Sequence, residues 1–169
     1  MKRRTHMKAE NVLKLRDLLT GNTIEVNIYA HDWKDAIRKS GQLLLGIDAV
    51  KPEYIDAMIR FCEENQAYIV LAPGIALPHA RPEDGVKKMC LSLITLERPV
   101  NFGHPQNDPV DIVIALGAID HSSHINALSQ LAELLMEEEN IEAIRSAKTK
   151  TEILELFQRN SKKNLPRGA

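Results

Sequence analysis

The sequence has little of what redox, thiolate-metal or nucleic-acid chemistry requires. Cysteine occurs twice in 169 residues, and the distant Cys62 and Cys90 form neither a thioredoxin-like Cys-x-x-Cys motif nor a thiolate zinc site. The two isolated thiols lie in apolar stretches and are expected to be buried. Their small number fits a protein of the reducing cytoplasm. Aromatic residues make up only 4%, so the core must consist of Leu, Ile, Val and Ala. The net charge of −1 supplies no positive field for a polyanion, which disfavours nucleic-acid binding.

Long apolar runs and common catalytic motifs are also missing. No stretch approaches the roughly 20 apolar residues of a membrane-spanning helix, and the basic opening Met1–Arg4 precedes no signal-peptide core. We therefore expect a soluble, non-secreted protein without direct membrane insertion. Both glycine-rich nucleotide fingerprints are absent, as are Gly-x-Ser-x-Gly and His-Glu-x-x-His. The sequence thus predicts no nucleotide cofactor and no resident metal.

The length fits one domain of ordinary size. Residues 1–10 are polar and basic and contain a second methionine, which indicates a flexible N-terminus or a cloning remnant. Residues 11–160 form the predicted domain. The polar residues 161–169 are expected to be a loose tail.

Hydrophobic periodicity in the domain alternates between helical and strand spacing. The predicted elements are, in order, a helix over 11–19, a strand over 23–30, a helix over 33–45 capped by Asp32, a helix opening with Pro52, strands over 68–72, 89–96 and 110–119, a helix capped by Ser122 or Ser123, and a helix after the Thr149-x-x-Glu152 capping box. The last two strands are apolar on both faces and are joined by a short irregular segment, so they are expected to be antiparallel neighbours. The fold class is therefore α/β, with a mixed β-sheet flanked by helices on both faces.

Among the six histidines, His79 occupies the most constrained position. It lies in the segment Ala72 to Pro82, which follows a predicted strand and contains three prolines and a glycine. Each proline fixes its own φ and biases the preceding residue towards extended geometry, so the imidazole has little freedom. Two residues later, Arg81 offers a forked cationic donor for an oxyanion.

A second histidine cluster, Asp120-His121-Ser122-Ser123-His124, follows another strand and opens a helix. If the two strand ends converge, His79 meets His124 beside a helix N-terminus, whose free amides and partial positive charge suit an anion. A neutral imidazole keeps a lone pair for attack on phosphorus, and the transfer then depends on positioning and charge stabilisation. The pattern predicts a phosphoryl group carried on His79, with His124 and Arg81 as stabilisers.

Other interpretations of these histidines remain open. His79 is alternatively a solvated loop residue, and His121 lies either behind the site or at the helix cap. A metal site is a further alternative, in which His121 and His124 at i, i+3 spacing are joined by His79, Asp120 or Asp111. The remaining three histidines are interpreted as structural: His31 as a capping or solvated residue, His104 as a turn residue, and His6 as part of the N-terminal segment.

The segment Pro-Gly-Ile-Ala-Leu-Pro-His-Ala-Arg-Pro, residues 73–82, resembles the phosphorylation loop of the mannitol/fructose-type enzyme IIA domains of the bacterial sugar phosphotransferase system (PTS). The Asn107-Asp108-Pro109-Val110-Asp111 entry to a strand and His124 at a helix start are similar to that family as well. The resemblance covers roughly residues 15–160. Residues 81–88 are most similar to the ascorbate-type branch.

The resemblance implies a phosphotransferase with a phosphohistidine intermediate. His79 would accept phosphate from the histidine-containing phosphocarrier protein and pass it to a cysteine of enzyme IIB, for carbohydrate uptake through the membrane component IIC. Ascorbate is a candidate carbohydrate, and His124 matches the family's second active-site histidine. A regulatory phosphorelay of the same fold, acting on a transcription factor or kinase, is the alternative. The family usually has glycine where this chain has Ala80, which would be costly if that position required a positive φ.

Overall fold

A computed structural model describes residues 14–163. The predicted N-terminal segment 1–10 lies outside the described residues, as do residues 11–13 of the first predicted helix and 164–169 of the predicted tail. The elements are α1 (Leu15–Leu18), β1 (Ile24–Ile28), α2 (Trp33–Gly46), α3 (Glu53–Glu64), α4 (Gln66–Ile69), β2 (Val70–Ala72), β3 (Ile75–Ala76), a 3₁₀ turn (Pro82–Asp84), β4 (Cys90–Val100), β5 (Val110–Gly117), α5 (His121–Leu135), α6 (Glu138–Ser146) and α7 (Lys150–Lys163).

The five strands form one mixed sheet in the order β1-β4-β5-β3-β2. β4 and β5 are antiparallel neighbours, as the two apolar runs and their short connection predicted. Their register pairs Cys90 with Gly117. β1 is parallel to β4 and β3 is parallel to β5, while β2 returns antiparallel to β3. The parallel placement of β3 beside β5 directs the carboxyl ends of both strands towards the same edge of the sheet.

Buried side chains lie on both faces of the sheet, which confirms the predicted sandwich. The α2–α3 core contains residues of those helices together with one face of the sheet, including Ile37, Met58 and Ile94. The α5–α7 core lies on the opposite face and includes Leu93, Leu131 and Phe157. Because neighbouring residues on β4 belong to different cores, its sequence is apolar at consecutive positions.

Local signals explain where the helices on the α2–α3 side begin and how they pack. The Asp32 carboxylate accepts the Asp35 amide at 2.8 Å and caps α2, as predicted. Pro52 immediately precedes α3. A Cβ added at Gly41 would come within 2.8 Å of Cγ1 of Ile55, so glycine permits the close approach of α2 and α3. No helix within residues 14–163 is long and apolar enough to cross a membrane.

Both cysteines are buried and free, as the apolar patterns predicted. Burial raises the pKa of each thiol to about 12. Cys62 and Cys90 are therefore protonated at neutral pH and behave as small apolar residues.

Several elements of the structure differ from the sequence predictions. The strand predicted over 68–72 begins at Val70, because Tyr68 and Ile69 complete the short helix α4. β3 and α6 were not predicted, since β3 has two residues and α6 is rich in glutamate. β4 continues beyond residue 96 to Val100, after a break in its register. α7 extends through Lys163, three residues into the predicted tail.

Candidate active site

His79 follows β3 at the edge of the sheet, in a loop whose backbone is hydrogen-bonded on both sides. The Leu77 amide donates to the Ile69 carbonyl at 2.8 Å, and the Leu116 amide donates to the Pro78 carbonyl at 3.0 Å. These bonds join the loop to the end of α4 and to β5. Pro78 and Pro82, on either side of His79, also restrict the backbone. Together with the hydrogen bonds, they fix the direction in which the imidazole leaves the sheet.

The entry to β3 is a turn at Gly74, which has a φ of 78°. Its carbonyl accepts the amides of Asp111 and Ile112, both at 3.0 Å. A Cβ at this position would lie 2.7 Å from Nη2 of Arg145 and 2.9 Å from Oδ1 of Asp111. Only glycine therefore satisfies both the backbone conformation and the space beneath the Asp111–Arg145 ion pair.

The imidazole of His79 has a defined orientation. Its Nδ1 lies 2.8 Å from the carbonyl oxygen of Leu77. Since a carbonyl oxygen only accepts hydrogen bonds, Nδ1 carries the proton, and Nε2 of the neutral ring holds the lone pair. Burial lowers the pKa of His79 below its ordinary value, and the bond to Leu77 opposes this effect. The neutral, nucleophilic form is favoured.

His124 lies beside His79, as the predicted convergence of two strand ends required. The two ring centroids are 5.1 Å apart and the planes are inclined by 44°. Burial lowers the pKa of His124, and the neighbouring charges of His79 and His121 lower it further. Phe61 of α3 also contacts His79, with ring centroids 5.0 Å apart. His79 therefore contacts both an apolar ring and a second imidazole.

The beginning of α5 brings a helix N-terminus to this pair. Asp120 is the N-cap, and its carboxylate accepts the Ser123 amide at 2.7 Å. The prediction that Ser122 or Ser123 caps this helix is wrong, because the preceding aspartate already occupies the cap and both serines lie within the helix. His121 is the first helical residue and is exposed, so it lies at the helix start, next to the cap.

Arg81 has carboxylate partners of its own. Its guanidinium lies 3.3 Å from Asp84, and 3.7 Å separates it from Glu83. The side chain is 68% exposed. Nearby carboxylates raise the pKa of Arg81, beginning with the hydrogen bond to Asp84. The structure thus places the arginine in the same loop as His79 but pairs it with acidic residues.

His104 and His31, the histidines predicted to have structural roles, lie in a turn and at a helix start. Nδ1 of His104 accepts the amides of Gln106 and Asn107 at 3.1 and 2.9 Å, which confirms its role in a turn. His31 is exposed, and its amide donates to Asp35 at the start of α2.

Within residues 14–163, no group of three or more His, Cys, Asp or Glu side chains has a geometry that could hold a metal ion. Asp111, one ligand of the metal alternative, is instead bound by Arg145 at 2.6 and 3.1 Å.

Sequence reasoning did not identify Tyr54 as part of this region. The spacing of Tyr54 in the helix after Pro52 is typical of an apolar helix face, yet its hydroxyl accepts the Ala80 amide at 3.0 Å and donates to the Leu116 carbonyl at 2.6 Å. Asn27 and Asp48 are the non-glycine positions with positive φ in the described part of the chain. Ala80 therefore avoids the backbone cost that a positive φ would have imposed.

Residues 17–160 match the model of the family described as "Phosphoenolpyruvate-dependent sugar phosphotransferase system, EIIA 2". The chain is 41% identical over 151 residues to the ascorbate-specific PTS system EIIA component of Shigella boydii, covering 88% of this chain and 98% of that protein.

Solved structures show the same fold. The mannitol-specific cryptic phosphotransferase enzyme IIA CmtB of Escherichia coli has a TM-score of 0.78 and 37% identity, with 87% of this chain and 99% of that chain covered. The E. coli complex of enzyme IIA for mannitol with its phosphorylated enzyme IIB has a TM-score of 0.74 and 29% identity, with coverages of 83% and 97%. The chain belongs to the EIIA 2 family of the phosphoenolpyruvate-dependent sugar phosphotransferase system, and it is a phosphotransferase component.

Proposed function

We propose that this EIIA component carries the phosphoryl group on Nε2 of His79, receiving it from the histidine-containing phosphocarrier protein and passing it to a cysteine of enzyme IIB. The observation that supports this assignment is the hydrogen bond from Nδ1 of His79 to the Leu77 carbonyl at 2.8 Å. It leaves Nε2 as the nitrogen with a lone pair, in a ring beside His124 and a helix N-terminus.

Both transfers proceed without a protein base. In the first, the Nε2 lone pair of His79 bonds to phosphorus while the bond from phosphorus to the donor's ring nitrogen breaks, and that electron pair stays on the donor. In the second, the cysteine thiolate of enzyme IIB bonds to phosphorus as the Nε2–phosphorus bond breaks. Nδ1 keeps its proton throughout, and the Leu77 carbonyl stabilises the ring while it carries the phosphoryl group.

His124 is suited to stabilise the transferring group. Its lowered pKa keeps the ring neutral, so one ring nitrogen supplies an N–H donor at physiological pH. The start of α5 adds a partial positive charge near the same place. Arg81 would contribute only after exchanging Asp84 and Glu83 for the phosphoryl oxygens, and its exposure makes such an exchange inexpensive.

The substrate assignment follows from the curated relatives. The match to the Shigella boydii ascorbate-specific component spans 98% of that protein. This supports ascorbate as the carbohydrate of the system, with enzyme IIC as the membrane component and the cytoplasm as the site of transfer. The likeness to the mannitol complex containing phosphorylated enzyme IIB supports enzyme IIB as acceptor.

A labelling experiment tests the phosphoacceptor. Phosphorylated carrier protein should label the wild-type chain and the His31→Ala variant, whose histidine is exposed at the start of α2, but leave His79→Ala unlabelled. Equal labelling of His79→Ala and wild type would contradict the assignment. A chase with the ascorbate-type enzyme IIB should then remove the label, and its retention would favour the regulatory phosphorelay.

A further inference from the structure

Tyr54 is buried beneath the His79 loop and connects that loop to the centre of the sheet. The side chain has 0% exposure, and its hydroxyl lies between two backbone groups. It donates to the Leu116 carbonyl at 2.6 Å and accepts the Ala80 amide at 3.0 Å. The Ala80 amide is itself buried, so the hydroxyl satisfies a donor that would otherwise be costly to desolvate.

The direction of these hydrogen bonds is determined. The Leu116 carbonyl only accepts and the Ala80 amide only donates, so the hydroxyl must point its proton at Leu116 and its lone pair at Ala80. Burial raises the pKa of Tyr54 far above its ordinary value, which keeps the hydroxyl protonated. A phenylalanine would fill the same space but provide neither bond.

Leu116 thereby holds the chain on both sides of His79. Its amide donates to the Pro78 carbonyl at 3.0 Å, directly before the histidine. Its carbonyl reaches the Ala80 amide, directly after the histidine, through the Tyr54 hydroxyl. One residue of β5 thus fixes both neighbours of the phosphoacceptor, and Tyr54 is the intermediary on one side.

We propose that Tyr54 is a positioning residue for His79: its hydroxyl holds Ala80 against β5 and so keeps Nδ1 of His79 on the Leu77 carbonyl. Without that hydroxyl, the backbone after His79 loses its tether to β5 while the Pro78 tether remains. The ring then rotates away from Leu77, and the proton distributes between Nδ1 and Nε2. The kinetic consequence rests on the proposed function of His79, whereas the orientation and tautomer of the ring do not.

The test compares wild type with Tyr54→Phe in the full chain. Three measurements are made: the single-turnover rate of labelling by phosphorylated carrier protein, the ¹⁵N NMR shifts of the His79 ring, and hydrogen exchange of the Ala80 amide. We expect labelling to slow about 10- to 100-fold, because small misplacements of a nucleophile have effects of that size. We also expect mixed tautomers in place of Nδ1–H, and faster exchange at Ala80.

Asn140→Ala is the matched control for a loss of stability. The Asn140 side chain of α6 is buried and bonds to the Leu134 carbonyl of α5 and to Asn160 of α7. This variant loses buried hydrogen bonds as Tyr54→Phe does, but it should keep the wild-type labelling rate, ring shifts and Ala80 exchange. Equal changes in both variants would show that lowered stability, and not positioning, is responsible, and would overturn the proposal.

The remaining outcomes are also decisive. A folded Tyr54→Phe variant with wild-type ring shifts overturns the proposal, whatever its labelling rate. If Tyr54→Phe does not fold, the wild-type protein decides: a protected Ala80 amide and a single Nδ1–H tautomer support the proposal, and rapid exchange at Ala80 overturns it. Failure of carrier protein to label wild type would count against the proposed function alone, since the NMR measurements need no phosphoryl transfer.

Discussion

A positive charge on His79 opposes the protonation of His124. Their rings lie 5.1 Å apart between centroids, and a positive charge on His79 lowers the pKa of His124 in addition to the larger effect of burial. Burial acts on His79 in the same direction. Both rings are therefore neutral at neutral pH, which preserves a lone pair on one and an N–H donor on the other.

The neutral donor at His124 should contribute to the rate of transfer more than to stability. His124→Ala is expected to slow labelling by phosphorylated carrier protein about 100-fold, the size of effect seen when one donor to a developing oxyanion is removed. Its urea midpoint should stay close to wild type, because the residue is in the first turn of a capped helix and is only partly buried. Ser129→Ala, an exposed change in the same helix, is the control. A wild-type labelling rate in folded His124→Ala would remove the residue from the site.

For single residues, a sequence pattern identifies those whose chemistry is unusual for their surroundings. His79 follows a proline in a stiff loop, and His124 opens a helix, so their convergence could be predicted and is confirmed by the ring contact. Tyr54 could not be predicted, because its partner Ala80 is 26 residues away and its position on an apolar helix face is equally typical of a core residue. The proton on Nδ1 likewise depends on a carbonyl orientation that exists only in the folded loop.

Among the elements, β3 is the shortest strand and depends most on its neighbours. Its two residues pair with Ile112 and Val113 of β5. So short a segment, flanked by Pro73, Gly74 and Pro78, presents no alternation from which a strand could be predicted. α6 was missed for a related reason, since its glutamate-rich sequence has few buried positions, among them Ile144. Tertiary pairing, and not local propensity, determines β3.

Position 74, in the turn that precedes β3, should tolerate only glycine. Gly74→Ala combines a positive φ with a Cβ placed within 3 Å of the Asp111–Arg145 ion pair, and we expect a loss of about 1–3 kcal/mol in the free energy of unfolding. Gly46→Ala is the matched control, because nothing lies within 4 Å of its added Cβ and it ends α2 without a positive φ. Urea unfolding measures both. Equal midpoints for the two variants would contradict this account of the turn.

For the molecule as a whole, the sandwich could be predicted because its central strands are apolar at consecutive positions, whereas an outer strand alternates. Helical patterns before and after those strands predicted that helices pack on both faces of the sheet. The sheet order could not be predicted, because β3 inserts between β5 and β2 through contacts that no local pattern records. The same arrangement brings two histidines into a partly buried site, so folding is coupled to their protonation.

This coupling predicts that stability falls in mild acid. Burial lowers the pKa of His79 and of His124 in the folded state, so the unfolded chain binds more protons as the pH falls. Their contribution is complete above the unfolded pKa of about 6.5 and is lost as the pH decreases through the folded values. In urea unfolding between pH 8 and pH 5, His79→Asn should therefore lose less stability than wild type. His31→Asn, a change at an exposed histidine, should follow wild type, and a His79→Asn profile parallel to wild type would show that the site does not couple to folding.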